Sequence, residues 1–267
     1  MNIAIIGHGF VGEAVDSSFE NMSGINTIIV DPKDPTNATL EEAVATAQIF
    51  FICLPTPQQE SGHCDANLVA STVLKINELV VSTSPLIIIK STAPPNVLHF
   101  LETNTIVPLV YSPEFLTQAN STTDYLNPKM QILGGFPTAT HRAEHIIINR
   151  SRCQPCPIYH TDIKTASLIK YTINSYLATK VSFMNELYQL HMLAGADSTF
   201  EEFAKILSTD PRIGASHLQV PGPDGEFGFG GACFPKDTRA FLKYAENLGF
   251  DLSVLDAAVK VNNKIRK

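Results

Sequence analysis

The segment Phe227-Gly228-Phe229-Gly230-Gly231-Ala232-Cys233-Phe234-Pro235-Lys236-Asp237 sets a cysteine among glycines, just ahead of a helical stretch whose first turn is expected at Pro235. A thiol at a helix N-terminus beside a lysine tends toward a lowered pKa, and the thiolate is the attacking form. Cys233 is therefore the best nucleophile in the chain. The usual fate of such a residue is burial as packing. The glycines weigh against that, because they remove the side chains that would bury it. Cys53, inside the apolar run from Ile49 to Leu54, suits the structural role better.

Lys170 and Asn174 stand four apart in a long helical pattern and so share a face, one turn from each other. The spacing fits a pair aimed into one cleft, but taken alone it favours a solvated stripe. Ser112-Pro113-Glu114-Phe115 follows an apolar strand, at the edge of an open α/β sheet where ligands bind. Glu114 reads either as an acid/base or water-holding group, or as a helix-cap acid. Cys153-Gln154-Pro155-Cys156 has no second pair to complete a tetrahedral site, so a plain loop and no metal are expected.

Gly7-His8-Gly9-Phe10-Val11-Gly12 is a G-x-G-x-x-G between a strand and a helical segment beginning at Glu13. In that context the first glycine makes the tight turn, the second admits a pyrophosphate, and the third lets helix and strand pack closely. The phosphates would sit at the positive end of the helix. The next strand ends in Val30-Asp31, where an acidic side chain holds both hydroxyls of an adenosine ribose and repels a 2′-phosphate. NAD is thus expected over NADP. The alternative is a Gly-rich turn of some other α/β domain with Asp31 on the surface; strand, turn, helix and acid in register weigh against it.

These groups need elements to hold them. Short runs rich in Ile, Val and Phe alternate with helix-like segments up to Asp162: Asn2 to Ile6, Thr27 to Val30, Ile49 to Leu54, Leu86 to Lys90, Ile106 to Tyr111, Gln131 to Leu133 and Pro157 to Tyr159. The runs are apolar on both faces, as in a parallel sheet covered by helices on each side. The fold class expected is α/β, a Rossmann-type doubly wound parallel sheet over residues 1–162, followed by an all-helical dimerisation domain over 163–267. In the second part, Thr165 to about Ala194 has no Pro or Gly and keeps apolar residues at helical spacing, among them Leu168, Tyr171, Leu177, Val181, Met184 and Leu187. Gly195 supplies a stop, and Ser198-Thr199-Phe200-Glu201 a capping start for a helix to about Leu207. Further helices are expected at Lys236 to Leu248 and from Leu252 to the end.

Composition sets the frame. The 267 residues exceed one usual domain and fall short of three. With 44% hydrophobic and 17% charged residues, the chain reads as globular. A formal charge of -7, with no basic cluster beyond Lys264-Ile265-Arg266-Lys267, argues against a nucleic-acid partner. Five cysteines, an odd number, suggest reduced thiols. The opening strand leaves no room for a signal peptide, and no apolar run is long enough to span a membrane, so a cytoplasmic protein with no membrane partner is expected.

Taken together, these segments resemble the UDP-glucose/GDP-mannose dehydrogenase family from Ile3 to the last residue. The family's Rossmann turn resembles Gly7 to Gly12, its Pro-Thr-Pro loop Pro55-Thr56-Pro57, and its Ser-Thr loop Ser91-Thr92. Its Pro-Glu-Phe-Leu segment matches Pro113 to Leu116, and its Lys-Tyr-x-x-Asn and Asn-Glu-Leu helix matches Lys170-Tyr171, Asn174 and Asn185-Glu186-Leu187. Its Gly-Gly-x-Cys-x-Pro-Lys-Asp signature matches Gly230 to Asp237.

The resemblance implies a four-electron oxidation of a nucleotide-sugar C6 alcohol to a uronate, with two NAD+ per product, UDP-glucose being preferred because Pro235-Lys236-Asp237 is similar to that branch. Cys233 would trap the aldehyde as a thiohemiacetal, and a second hydride transfer would give a thioester. Lys170 and Asn174 would stabilise oxygen charge near C6. Asp237 would work with Lys170 to order a water, Glu114 would assist thioester hydrolysis, and Thr92 would touch that water. Cofactor contacts are implied for Gly7, Gly9, Phe10, Val11, Gly12 and Asp31, and for Pro55, Thr56, Ser91, Thr92 and Lys236. Substrate contacts are implied for Glu114, Phe115 and Leu116, for Lys170, Asn174 and Cys233, and for Phe229, Gly230 and Gly231. Arg212 resembles an arginine supplied across the interface of a homodimer built on the long helix.

Three departures stand out. Thr117-Gln118-Ala119-Asn120 replaces a frequent Arg-Glu-Gly, and Asn127-Pro128-Lys129-Met130 replaces a usual Asn-Pro-Asp-Arg. The chain also stops at Lys267, within what resembles the helix leading to the family's C-terminal domain. A fragment, a reduced version, or a split enzyme whose C-terminal domain comes from a separate chain is expected, with weaker nucleotide binding and a wetter nicotinamide site. Two other readings remain open: a β-hydroxyacid dehydrogenase, which has no use for Cys233, and a non-catalytic NAD-binding subunit.

Overall fold

The computed structural model describes residues 1–266, Gln118 by its backbone alone. Backbone packing divides the chain into two units, one formed by Met1–Pro57 with Asp65–Lys170, the other by Gln58–Cys64 with the chain from Tyr171 onward.

The first unit is built on one sheet of seven strands: β1 (Asn2–Ile6), β2 (Asn26–Val30), β3 (Ile49–Ile52), β4 (Leu86–Ile89), β5 (Leu109–Tyr111), β6 (Gln131–Gly135) and β7 (Ile158–Thr161). All the strands expected from the apolar runs are present, in the order β2-β1-β3-β4-β5-β6-β7. Strands β2 to β5 pair in parallel. Their connections carry α1 (Phe10–Phe19), α2 (Leu40–Thr46), α3 (Asn67–Leu79) and α4 (Pro95–Asn104).

The sheet is not parallel throughout: β6 runs antiparallel to β5, and β7 follows β6. The reason is the link between β5 and β6. It holds a 3-10 turn at Gln118–Asn120 and the short α5 (Ser121–Leu126), the latter about 9 Å long at 1.5 Å per residue. The chain re-enters the sheet at the end where β5 left it. Helix α6 (Pro137–Glu144), extended by a π-turn at His145–Asn149, then leads to β7.

Period-two alternation sorts each strand onto two cores. Ala4, Ile6, Phe50, Ile52, Ile87 and Ile89 join one apolar cluster, while Ile3, Ile5, Ile49, Phe51, Leu86 and Ile88 join the other. Each buried Ile, Leu or Phe among them contributes about 1.5–3 kcal/mol. Two-sided burial is why these runs read as continuous apolar segments.

The second unit contains most of α7 (Ile163–Leu193), with α8 (Phe200–Leu207), α9 (Phe234–Asn247) and α10 (Ser253–Ile265). Gly195 ends the α7 segment at φ +64°, and Thr199 opens α8 through a reciprocal capping box with Glu202. Met184 packs with Phe200, Ala204 and Leu218. The Ser182 hydroxyl donates to Ala258 O at 2.8 Å, joining α7 to α10. Lys180 Nζ pins the following loop by donating to Ile213 O at 2.9 Å and Ser216 O at 2.5 Å. The segment Gln58–Cys64 closes on itself, Gln59 N donating to His63 O at 2.8 Å. It lies against α9: Asn247 Nδ2 is 3.5 Å from His63 Nε2, and a Cβ on Gly62 would stand 3.5 Å from the Lys243 side chain. The last helix is followed to Ile265; Lys267, included in the expected run from Leu252 to the end, lies outside the described residues. Among the described residues no helix is long and apolar enough to cross a membrane.

Candidate active site

The glycine turn lies between β1 and β3, where the strand order reverses and α/β sheets open a crevice. Helix α1 begins at Phe10, earlier than the expected Glu13, because Glu13 N already donates to Gly9 O at 2.8 Å. Gly7 sits at φ +87°, and a Cβ there would meet Cys53 O at 2.6 Å. At Gly12 a Cβ would stand 2.0 Å from Gly7 O, so helix and turn touch backbone to backbone. Gly9 differs: a Cβ there meets nothing within 4 Å, and no side chain caps α1. Its first-turn amides are thus left for an anion. Phe10 and Val11, on that first turn, are half-buried.

Asp31 follows β2 and is buried. Its Oδ1 accepts from Lys33 N at 2.9 Å and its Oδ2 from His8 N at 2.7 Å. Those two backbone bonds hold its carboxyl below the usual carboxylate range. Each oxygen keeps a lone pair for a ribose hydroxyl. The residues present fit a dinucleotide. Pro55 is exposed and Thr56 buried beyond β3. The Ser91 hydroxyl binds Leu54 O at 2.8 Å and Ile52 O at 3.2 Å, tying the loop after β4 to that after β3, and Thr92 beside it is buried.

Glu114 and Lys170, both buried, form a second group in the first unit. Lys170 Nζ donates to Glu114 O and lies 3.3 Å from its Oε1, above the Phe115 ring at 5.1 Å. Leu116 N donates to Glu114 Oε2 at 2.7 Å. Glu114 is thus neither a helix cap nor a surface acid. A cavity of about 260 Å³ opens beside it, lined by Lys90, Phe115, Thr117, Tyr125 and Met130 among others. Two departures from the family pattern, Thr117 and Met130, line this one cavity. Thr117 donates through N and Oγ1 to Asp124 Oδ2 at 2.9 and 2.6 Å, and Met130 packs against the core. The Gln118 side chain lies outside the described residues.

Lys90 went unnoticed in the sequence. Its Nζ donates to Ser112 Oγ at 3.0 Å and lies 5.3 Å from the Tyr125 ring centroid. Burial pulls its pKa down to about 8. The available signal was a lysine closing an otherwise wholly apolar strand, Leu86 to Ile89. Cys53, just past β3, is half-buried and packs against the second apolar cluster, its thiol pushed up to about 12 by burial.

The second unit carries the thiol. Cys233 is the N-cap of α9 and is half-buried, not sealed in a core. Four residues on, Asp237 is almost fully buried and accepts from Asn174 Nδ2 at 2.6 Å and Lys236 Nζ at 2.5 Å. Burial pulls the Lys236 pKa down, but the Asp237 carboxylate outweighs it, and the net shift is upward. Asn174 is buried, like Lys170, which removes the solvated-stripe reading of both.

The loop before the thiol is clamped by two asparagines. Asn262 accepts from Phe229 N at 2.6 Å and donates to Phe229 O at 3.0 Å, and Asn185 accepts from Gly228 N at 3.0 Å. Asn262 was not anticipated; a buried Asn on the apolar face of α10 was its only trace. Gly230 lies under the Arg266 guanidinium, which a Cβ would approach to 2.2 Å, and Gly231 has φ +75°. Arg212 stands apart from these groups, exposed and paired with Asp210 at 2.6 Å.

Fold and glycine turn define a Rossmann-like nucleotide-binding unit joined to a helical unit that presents a cysteine. The chain belongs to the UDP-glucose/GDP-mannose dehydrogenase family, matching its NAD binding domain over residues 35–150 and its central domain over 164–264. It is 29% identical over 301 residues to UDP-glucose 6-dehydrogenase YwqF of Bacillus subtilis, covering 98% of this chain and 66% of that protein. To UDP-glucose 6-dehydrogenase of Rickettsia bellii it is 34% identical over 233 residues, 84% of this chain and 51% of that one. In fold it is similar to a UDP-glucose dehydrogenase from Pyrobaculum islandicum, with a TM-score of 0.84 at 24% identity, over 98% of this chain and 68% of that chain. The chain thus spans between 51% and 66% of the length of these two curated relatives.

Proposed function

We propose that this chain oxidises the C6 alcohol of a nucleotide sugar to the carboxylate, UDP-glucose to UDP-glucuronate, through a thioester on Cys233. The observation that carries the reading is Cys233 itself, half-exposed at the N-cap of α9, in the same unit as the buried Asn174–Asp237 pair and its partner Lys236. Relatives named as UDP-glucose 6-dehydrogenases support the choice of sugar.

NAD+, held by the glycine turn, Asp31 and the loops at Thr56 and Ser91, supplies the hydride acceptor for both oxidations. The chain's own residues do the rest. As the alcohol becomes an aldehyde its hydroxyl proton must leave, and Asp237 is the carboxylate in the thiol unit that accepts it. Cys233 Sγ then bonds to the aldehyde carbon, and the carbonyl oxygen takes up a proton, giving a thiohemiacetal. Loss of hydride and that proton leaves the thioester. Water adds to its carbonyl carbon, the C–S bond breaks, and the carboxylate and thiol are released. Glu114 takes the proton from that water, and Thr92 helps hold it.

Charge on the C6 oxygen is carried by fixed donors. Asn174 gives one amide hydrogen to Asp237 and has a second for the substrate. Lys170 gives two hydrogens to Glu114 and has a third. Phe229 and Gly230 contact the hexose, and Arg212 serves the site of a second copy. Tyr176, Phe183 and Leu190, exposed and seven residues apart on α7, form the apolar stripe that the second copy covers.

Incubation with NAD+ and a panel of UDP- and GDP-sugars, following NADH absorbance, tests the reading. UDP-glucose should yield two NADH per uronate, a sugar-derived acyl adduct should be trapped on Cys233 by mass spectrometry, and Cys233→Ser should abolish uronate formation. Full turnover in Cys233→Ser would assign the chain to β-hydroxyacid oxidation instead. Tight NAD binding without turnover of any sugar, even with the remaining part of a full-length relative added, would mark a non-catalytic subunit.

A further inference from the structure

We propose that His141, Glu144 and His160 form a site for a first-row divalent transition ion such as Zn²⁺, away from the cofactor edge of the sheet. His141 and Glu144 lie one turn apart on α6, and His160 is on the edge strand β7. Their ligating atoms all lie within 4.8 Å of one another. One oxygen, Glu144 Oε2, is 3.0 Å from His160 Nε2 and 3.5 Å from His141 Nδ1. The two imidazole rings are 4.3 Å apart between centroids. Ligands at about 2.0–2.1 Å on the corners of a tetrahedron stand about 3.3 Å from each other. The two Glu144 distances bracket that value.

A second contact shows what His160 offers. The Thr140 hydroxyl, buried, donates its single hydrogen to Pro137 O at 3.1 Å. With that hydrogen on Pro137 O, the hydroxyl is the acceptor in its 2.9 Å contact with His160 Nδ1. In that tautomer the ring hydrogen is on Nδ1 and the Nε2 lone pair faces the Glu144 carboxylate at 3.0 Å. An ion bound by both would take the place of the proton otherwise shared between Nε2 and the carboxylate. A ring nitrogen hydrogen-bonded on its far side is the arrangement that orients metal-ligating histidines. Two imidazoles and one carboxylate suit Zn²⁺, Co²⁺ or Ni²⁺ rather than Mg²⁺ or Ca²⁺. His160 also lines a cavity of about 370 Å³ with Glu102 and Asp162, which gives an ion a path in and leaves a position for water.

Topology separates this cluster from the chemistry above. β6 and β7 run opposite to β1–β5, so the C-terminal part of β7 lies at the end of the sheet away from the Gly7–Gly12 turn. An ion here would tie α6 to the edge strand, a structural role.

Co²⁺ titration of the full chain, read by its visible d–d absorption, tests the proposal, with Zn²⁺ competition and thermal unfolding alongside. One Co²⁺ should bind per chain with no thiolate charge-transfer band, and Zn²⁺ should displace it and raise Tm. His141→Gln and His160→Gln should each weaken binding at least tenfold, and the double variant should show neither binding nor the Tm rise. Thr140→Val, which leaves all three ligands in place, should weaken Co²⁺ about tenfold. The histidines are exposed or half-exposed, so the variants should keep the fold, which far-UV circular dichroism verifies. Absence of saturable uptake, a thiolate band, or unchanged affinity in the double variant would each overturn the assignment.

Discussion

Asn174 donates to one oxygen of Asp237 at 2.6 Å while Lys236 stands 2.5 Å from the other. The carboxylate, 1% exposed, is thus held from two sides, by a neutral amide from α7 and by the ammonium of its own neighbour. Such an arrangement fixes the carboxylate's orientation, Lys236 balancing its charge and Asn174 adding a neutral donor. Asp237→Asn keeps the shape and removes the charge. Turnover should fall by about 10²–10⁴-fold, as for loss of a general base. Leaving Lys236 without its counter-charge should lower stability by about 3 kcal/mol, measured by urea unfolding at neutral pH.

The glycine turn yields a paired prediction. Gly12→Ala drives a Cβ to within 2.0 Å of Gly7 O, so the variant should lose more than about 2 kcal/mol of stability along with NAD binding. Gly9→Ala meets only open space. It should melt like the unaltered protein and lose NAD affinity alone, because the methyl group enters the volume the pyrophosphate needs. Calorimetric titration with NAD+ beside thermal unfolding separates the two.

Lys90 makes stability depend on pH. Its folded pKa, about 8, lies below the ordinary 10.5, so above pH 8 the unfolded chain holds more protons than the folded one and stability rises with pH. Cys53 works in the opposite sense above pH 9, because its folded pKa of about 12 exceeds the ordinary 9.0. The clean window is pH 8 to 9, where the gain should be about 1 kcal/mol. Lys90→Met should flatten that rise in urea midpoints; an equally steep slope in the variant would assign it to another group.

Asn262 holds both backbone groups of Phe229. Asn262→Ala leaves a buried amide and carbonyl unsatisfied, which should cost about 1–3 kcal/mol. The loosened loop should also lower kcat/KM for the sugar nucleotide by roughly tenfold, while NAD affinity, set in the other unit, stays as it was.

Much of this was legible because strong local signals coincide. Two-sided apolar strands, a glycine turn in register with Asp31, and an uninterrupted helical period from Thr165 each have few structural solutions. Burial of Lys170 and Asn174 was not legible, since four-residue spacing fixes a shared face without saying what covers it. The start of α1 at Phe10 was missed because Gly9 itself serves as cap, with no side chain to announce it. The reversal at β6 depends on how short α5 is and where its link re-enters, and apolar patterning carries no direction. Lys90 and Asn262 are single polar residues at the ends or faces of apolar elements, and their partners lie far away in sequence.

The excursion at Gln58–Cys64 bears on how such a protein can be recombined. The backbone passes from one unit to the other after Pro57, returns after Cys64 and leaves again after Lys170, so the helical unit is not one contiguous stretch of gene. A hybrid joined at a single crossover inside α7 would inherit its helices from one parent and the finger that packs on α9 from another. Chimaeras that also exchange residues 58–64 should express and fold where single-junction hybrids precipitate.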